Sequence, residues 1–171
     1  PWFDRMEMSR CSLDADPIIE CCKVLTQEQI DALIAAWARH IRAVLPRDRQ
    51  VINWNEAAEM SAAGVSFGSH SSTHRLLTHL KSDEVHREVT ESWEMLRAKP
   101  IVTVPVFCYP NGNCSEEVRR SVEAAGYTAA TTTEFGYEDR MPSQPFGLKR
   151  INIHNDVTYT PKLFAFHLAG F

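Results

Sequence analysis

Two histidines, His70 and His74, lie four residues apart in the segment Gly-Ser-His-Ser-Ser-Thr-His, residues 68–74. If this segment is helical, one turn separates the two side chains, and both imidazole rings can reach a single divalent metal ion. The alternative is a pair of ordinary surface or capping histidines. A helix-borne metalloprotease pair carries Glu directly after its first histidine, and here Ser71 stands at that position. The metalloprotease pattern is therefore excluded, and the spacing alone leaves both a metal pair of another kind and ordinary histidines open.

The position of the histidines in the predicted fold favours a functional site. Residues 60–64 have the pattern of a helix end with a terminating Gly64, and residues 65–67 that of a short apolar strand. The histidines then follow the carboxyl end of a strand, where α/β folds place their chemistry. Next to the two histidines, Ser71 and Thr73 are expected to orient a ring or to cap the turn.

Helical and strand patterns alternate along the rest of the chain. A capping box at residues 26–29 opens a long amphipathic helix that ends before Pro46, and Asn53 or Asn55 caps a shorter one. Further helices are predicted at residues 82–99, 115–125 and 160–169, and further strands at residues 104–109 and 127–131. This alternation predicts an α/β fold with a parallel sheet. The pattern alone does not separate a barrel from a doubly wound sheet.

Composition sets broader limits on the function. The 171 residues are 44% hydrophobic and 23% charged, which is typical of one soluble globular domain covering residues 1–171. A net charge of −4 disfavours nucleic acid and anionic membranes as partners, and no apolar run is long enough for a membrane span. Five cysteines, an odd number without a spaced framework, argue against a disulfide scaffold. Localisation and oligomeric state stay open.

Four segments together resemble the polysaccharide deacetylase family, the NodB-like enzymes of carbohydrate esterase family 4. Residues 69–74 have the family pattern Ser-His-(Ser/Thr)-x-x-His, and residues 107–112 have the pattern Phe-x-Tyr-Pro-x-Gly. Residues 124–132 are similar to its helix-Gly-Tyr-strand segment, and residues 148–154 to a late strand. The segments occur in the family's order, and the resemblance covers about residues 50–155.

The resemblance implies a fold and an activity. The fold would be an irregular (β/α) barrel, and the activity a metal-dependent removal of N-acetyl groups from a bacterial polysaccharide of N-acetylglucosamine type. Zn²⁺ is the expected metal for His70 and His74, and Co²⁺ or Ni²⁺ also suits nitrogen ligands. His154 would be the general acid, the alternative being a hydrogen-bonded loop histidine. The substrate groove would be lined by the loop containing Tyr109, Pro110, Asn111 and Gly112.

Two departures from the family pattern affect the expected chemistry. The family's opening strand ends in Thr-Phe-Asp-Asp-Gly, which supplies a base and a third metal ligand, and this sequence contains no such motif. Asp4 is only a weak candidate for the third metal ligand. We therefore expect the chain to begin inside the family's domain and its barrel to be incomplete. Phe107 or Cys108 stands where many members carry an Arg that orients the base, and Arg150 is a candidate replacement.

Two alternatives to a deacetylase follow from the missing residues. The first is a noncatalytic carbohydrate-binding or structural remnant of the same fold. The second is a structural zinc module that uses His70, His74, His79 and His86.

Overall fold

The computed structural model describes residues 15–22, 25–41, 49, 51–154 and 158–170. By their contacts, residues 1–50 and residues 51–171 form two compact units. The single domain expected for residues 1–171 stays a prediction. None of the helices in the described ranges combines the length and the apolar character that crossing a bilayer requires.

The first unit contains two helices, α1 (Ala15–Cys22) and α2 (Gln27–Ile41). The predicted capping box at the start of α2 is confirmed. The Thr26 amide donates to Oε1 of Gln29 at 2.9 Å, and the Gln29 amide donates to the Thr26 hydroxyl at 3.3 Å. The predicted continuation of this helix toward Pro46 lies outside the described residues.

The second unit alternates helices and strands as predicted. Its helices are α3 (Trp54–Ala62), α4 (Ser82–Arg97), α5 (Glu116–Ala124) and α6 (Pro161–Leu168). Its strands are β1 (Phe67–Ser69), β2 (Thr103–Cys108), β3 (Ala129–Phe135) and β4 (Leu148–Arg150). Short 3-10 turns lie at Leu77–His79, Pro110–Gly112 and Pro145–Gly147.

Local signals in the sequence determine most helix ends. Asn53 caps α3 through a full capping box with Glu56, whose amide donates to Oδ1 of Asn53 at 2.9 Å. Ser115 and Thr160 cap α5 and α6 with their hydroxyl groups. Just past α3, Gly64 has a φ of 98°, a left-handed conformation that glycine adopts without a steric penalty. These ends agree with the sequence predictions.

The four strands form one parallel sheet in the order β1-β2-β3-β4. Each strand lies beside the next strand in sequence, and the order does not reverse as it does at the switch point of a doubly wound sheet. This sequential order is that of a (β/α) barrel, and four strands are part of one. The sheet therefore resolves the choice that the sequence pattern left open.

Three predicted strands have wrong bounds, and strand pairing explains them. The strand predicted at residues 127–131 is β3, which spans Ala129–Phe135 because it pairs with β2 from Ala129 and with β4 up to Phe135. The first strand was predicted at residues 65–67, but β1 spans Phe67–Ser69, because its partner β2 begins opposite Phe67, at Thr103. The late strand was predicted to run to His154, but β4 ends at Arg150. Arg150 pairs with the last residue of β3, so no strand residue remains to pair with the chain beyond it.

A cluster of aromatic and aliphatic side chains packs β2 against α4 and α5. The ring of Phe107 meets those of Tyr109 and Tyr127 at centroid distances of 5.4 and 5.2 Å. Val89 of α4 and Leu77 of the loop after β1 are fully buried in the same cluster. The cluster fixes the position of α4 relative to the carboxyl edge of the sheet, where the two histidines lie.

Candidate functional site

His70 and His74 lie in a loop that follows β1 at the carboxyl edge of the sheet. The spacing of the two histidines suggested a helical turn, and this prediction is wrong. Ser71 and His74 have φ angles of 64° and 61°, in the left-handed region that a right-handed helix does not contain. The rings nevertheless meet edge to face, with 4.7 Å between their centroids. A tight loop therefore brings the predicted metal pair together.

A backbone hydrogen bond orients the ring of His70. Its Nδ1 lies 2.7 Å from the carbonyl oxygen of Cys108, the last residue of β2. A carbonyl only accepts hydrogen bonds, so Nδ1 carries the proton and the lone pair of Nε2 is left for another partner. Metal-bound histidines commonly have this arrangement.

Cys108 and Arg150 lie beside the histidine pair. Hydrogen bonding with the Cys108 side chain raises the pKa of His70, and the same contact lowers the pKa of the Cys108 thiol to about 7. From the end of β4, Nη1 of Arg150 reaches the Cys108 sulfur at 3.3 Å. The Arg150 Nε is buried with no hydrogen-bond partner. The contact of Cys108 with His70 was not predicted from the sequence.

A row of polar side chains on α4 holds the histidine loop. Glu84, Glu88 and Ser92 lie four residues apart, on one face of the helix, and are here called the α4 polar row. Glu84 forms an ion pair with Arg75 at 3.0 Å. At the other end of the loop, the buried Ser69 hydroxyl donates to the Ser92 hydroxyl at 2.7 Å.

Glu88, in the middle of the α4 polar row, contacts the residues between the two histidines. Its Oε2 accepts from the backbone amides of Ser72 and Thr73 at 3.0 and 2.8 Å, and its Oε1 accepts from the Thr73 hydroxyl. Glu88 is only 8% exposed. This contact was not predicted from the sequence, although an acidic residue next to Val85 and Val89 on a helix is a signal for a buried polar contact.

The two polar residues predicted to support the histidines make different contacts. The Ser71 hydroxyl accepts from the His74 amide at 2.9 Å, which caps the turn. Thr73 binds Glu88 with both its amide and its hydroxyl. Both residues thus act on the loop backbone.

The loop predicted to line the substrate groove is largely interior. The Tyr109 ring is 1% exposed, its hydroxyl donates to the Phe146 carbonyl at 3.0 Å, and burial raises the pKa of the phenol. Pro110 is also fully buried. The Asn111 side chain is exposed, and Gly112 is partly exposed. Of the four residues, only Asn111 and Gly112 are accessible to solvent to a substantial degree.

A polar cavity of about 440 Å³, largely open to solvent, lies next to this loop. The residues that line it include Asn113, Arg119 and Thr133. A volume of this size is within the range of small-molecule sites, and hydroxyl and amide groups suit hydrogen bonding to a sugar.

His154 lies in a loop four residues beyond β4. Its backbone closes a turn with Thr158, whose amide donates to the His154 carbonyl at 3.0 Å, and His154 is exposed.

Within the part of the chain that the structure describes, no three side chains of His, Cys, Asp or Glu are placed to hold one metal ion. The alternative of a structural zinc module built on four histidines is therefore wrong. His79 and His86, which it would need, are exposed.

Comparison with known proteins identifies relatives of this fold and sequence. Residues 15–130 match the sequence profile of the family described as polysaccharide deacetylase. No curated protein sequence matches at a significant level.

Three solved structures are similar to the chain. A Streptococcus pyogenes deacetylase in complex with acetate superposes with a TM-score of 0.61 at 21% identity, covering 68% of this chain and 50% of that one. A Bacillus anthracis protein assigned to the polysaccharide deacetylases gives 0.58 at 27% identity, covering 68% and 36%. A polysaccharide deacetylase from Bacillus cereus gives 0.59 at 26% identity, covering 69% and 37%. The match spans half or less of each of these chains.

Substitution of Gly112, in the loop beside the site, is expected to destabilise the protein more than substitution of Gly64. Both Gly112 and Gly64 have positive φ angles, 78° and 98°. A Cβ on Gly112 would lie 2.6 Å from the backbone nitrogen of Thr133, whereas a Cβ on Gly64 would meet nothing within 4 Å. We expect Gly64→Ala to lower the free energy of unfolding by about 1 kcal/mol. Gly112→Ala should lower it by about 1–3 kcal/mol more than Gly64→Ala does, because the new Cβ also clashes with Thr133.

Urea denaturation followed by circular dichroism measures both losses. Equal losses in the two variants would contradict the close packing of this loop against β3.

Proposed function

The chain belongs to the polysaccharide deacetylase family, and on that premise we propose that it is a metal-dependent hydrolase that removes N-acetyl groups from a polysaccharide. The observation that carries the proposal is the His70–His74 pair, whose rings meet at 4.7 Å at the carboxyl edge of the sheet. The proposed substrate is a bacterial polymer of N-acetylglucosamine type, and three bacterial proteins are among the solved structures similar to this chain.

The histidine pair fits two positions of a metal site. The hydrogen bond from Nδ1 of His70 to the Cys108 carbonyl fixes the tautomer that leaves Nε2 available. Zn²⁺ is the metal best suited to two neutral imidazoles, with Co²⁺ or Ni²⁺ as alternatives. A catalytic zinc normally has three protein ligands, and the described residues supply no third one beside this pair. Binding to these residues alone is expected to be weak.

The reaction assigns separate tasks to the metal and to the side chains. A bound divalent ion polarises the acetyl carbonyl and lowers the pKa of a water molecule. A general acid must protonate the departing amine, and we assign this task to His154, which lies on the exposed loop after β4. We propose that Arg150, which contacts Cys108 next to His70, orients a carboxylate at the same edge of the sheet.

Sugar recognition is proposed for the polar cavity and the exposed part of the loop at residues 110–112. Asn111 is exposed at the rim, and Asn113 and Thr133 line the cavity. Their amide and hydroxyl groups can donate to and accept from the hydroxyls of a sugar. The net charge of −4 makes a neutral polymer a better partner than a polyanion.

A noncatalytic carbohydrate-binding protein is the second candidate function. It is favoured by one observation, that the described residues bring no third candidate ligand to the two histidines. A binding protein would keep the cavity and bind oligosaccharides without releasing acetate. A deacetylase would couple acetate release to the metal.

We expect His70→Ala and His74→Ala each to weaken zinc binding by about tenfold or more, because each removes one imidazole ligand. Isothermal titration calorimetry and metal analysis of the dialysed proteins measure this. His86→Ala is the matched control, since His86 is exposed on α4 and should leave zinc affinity unchanged. Equal zinc uptake by the double His70→Ala, His74→Ala variant and the parent would refute the metal site.

The 171 residues contain no Thr-Phe-Asp-Asp-Gly motif to supply the base and third ligand that the proposed reaction needs, and the described residues gather no third ligand beside His70 and His74. We therefore expect these residues alone to release little or no acetate from N-acetylglucosamine oligomers in the presence of zinc. Enzymatic detection of acetate against a blank without protein measures this. Robust zinc-dependent release that His70→Ala abolishes would contradict this expectation and would direct the search for a carboxylate to Asp4. Oligosaccharide binding without release, unaffected by His70→Ala, would support the noncatalytic candidate.

A further inference from the structure

Glu88 is a buried acidic residue that lies next to buried apolar side chains of α4. It is 8% exposed, and the neighbouring Val85 and Val89 are 2% and 0% exposed. An acidic group in such a position is unfavourable unless hydrogen bonds compensate for its lost hydration. The three hydrogen bonds from Ser72 and Thr73 supply that compensation.

The backbone between the two histidines depends on this carboxylate. No strand or helix hydrogen bonds are available to the amides of Ser72 and Thr73, because the loop has left β1 and the next 3-10 turn begins at Leu77. Both amides donate to the same oxygen of Glu88. Without that acceptor, two partly buried donors lose their partner.

The backbone conformation on either side of these amides adds to the dependence. Ser71 and His74, which flank Ser72 and Thr73, hold left-handed φ angles that residues other than glycine adopt only when their surroundings enforce them. Glu88 fixes the two residues between them. The turn that brings His74 back toward His70 is therefore closed by a contact from α4.

We propose that Glu88 is a positioning residue: by binding the Ser72 and Thr73 amides it holds the rings of His70 and His74 in mutual contact, ready for one metal ion. Its hydrogen bonds go to Ser72 and Thr73, so it acts through the loop between the two rings. The proposal rests on the proposed metal role of the two histidines, and it deepens that role by naming what arranges them.

A purely structural role for Glu88 would have different consequences. If its function were only to fill the buried face of α4, Leu would replace it well, since Leu is apolar, similar in length and a good helix former. If its function is to accept from the two amides, Leu must fail, while Gln, which keeps one carbonyl oxygen at the same reach, must largely succeed.

The test uses the 171-residue protein with Glu88→Leu, Glu88→Gln and the control Glu91→Leu, which makes the same substitution at an exposed position on α4. In the zinc-free proteins, NMR measures amide hydrogen exchange at Ser72 and Thr73 and the nuclear Overhauser contact between the two histidine rings. Zinc affinity is measured by calorimetry.

We expect Glu88→Leu to abolish the contact between the rings, to speed exchange at the two amides by about tenfold or more, and to weaken zinc binding by about tenfold or more. Glu88→Gln should stay within about threefold of the parent in both rates and affinity. Glu91→Leu should change none of these. Retention of the ring contact in Glu88→Leu, or acceleration of exchange throughout α4 to the same extent, would overturn the proposal.

A second variant covers the case in which Glu88→Leu does not fold. Glu88→Asp keeps the charge but is one methylene shorter, so positioning predicts loss of the ring contact, and a parental ring contact would refute it. If the parent itself takes up no zinc, the proposed metal function fails, whereas the ring contact in the zinc-free variants still decides the role of Glu88.

Discussion

The histidine loop must hold its shape without help from the sheet, and the α4 polar row provides what the sheet does not. Between Ser69 and Leu77 the chain has no strand partner, so its backbone donors need acceptors from elsewhere. The α4 polar row meets the loop at three points along one helix face, with Glu88 in the middle. The geometry of the candidate metal site thus depends on how firmly α4 is packed, and the buried aromatic cluster at β2 secures that packing.

The end of β2 is a second constraint on the site. The carbonyl of Cys108 orients the His70 ring, and the Cys108 side chain interacts with both that ring and the guanidinium of Arg150. Three strands of the sheet, β1, β2 and β4, therefore contribute to one small region through the segments at their carboxyl ends. This is the arrangement that a parallel sheet makes available, since all its strands end at the same edge.

Features that depend on local chemistry were predictable from the sequence, and features that depend on distant partners were not. The caps at Asn53, Ser115 and Thr160 follow from residues within a few positions, and they are confirmed. The alternation of helices and strands likewise predicted a parallel α/β sheet, which is confirmed. The extension of the last strand to His154 failed because strand length depends on the partner, and β3 ends opposite Arg150.

The candidate site shows the same division. The spacing of His70 and His74 indicated that they act together, but the conformation between them is set by Glu88, which is 14 or more residues away in sequence.

The most direct test of the proposed metal site is X-ray absorption spectroscopy at the zinc edge of the zinc-loaded chain. The proposed site requires two imidazole nitrogens at about 2.0–2.1 Å with other light atoms completing the shell. A sulfur scatterer at about 2.3 Å, which would assign Cys108 as a ligand, or the absence of imidazole scattering would contradict it.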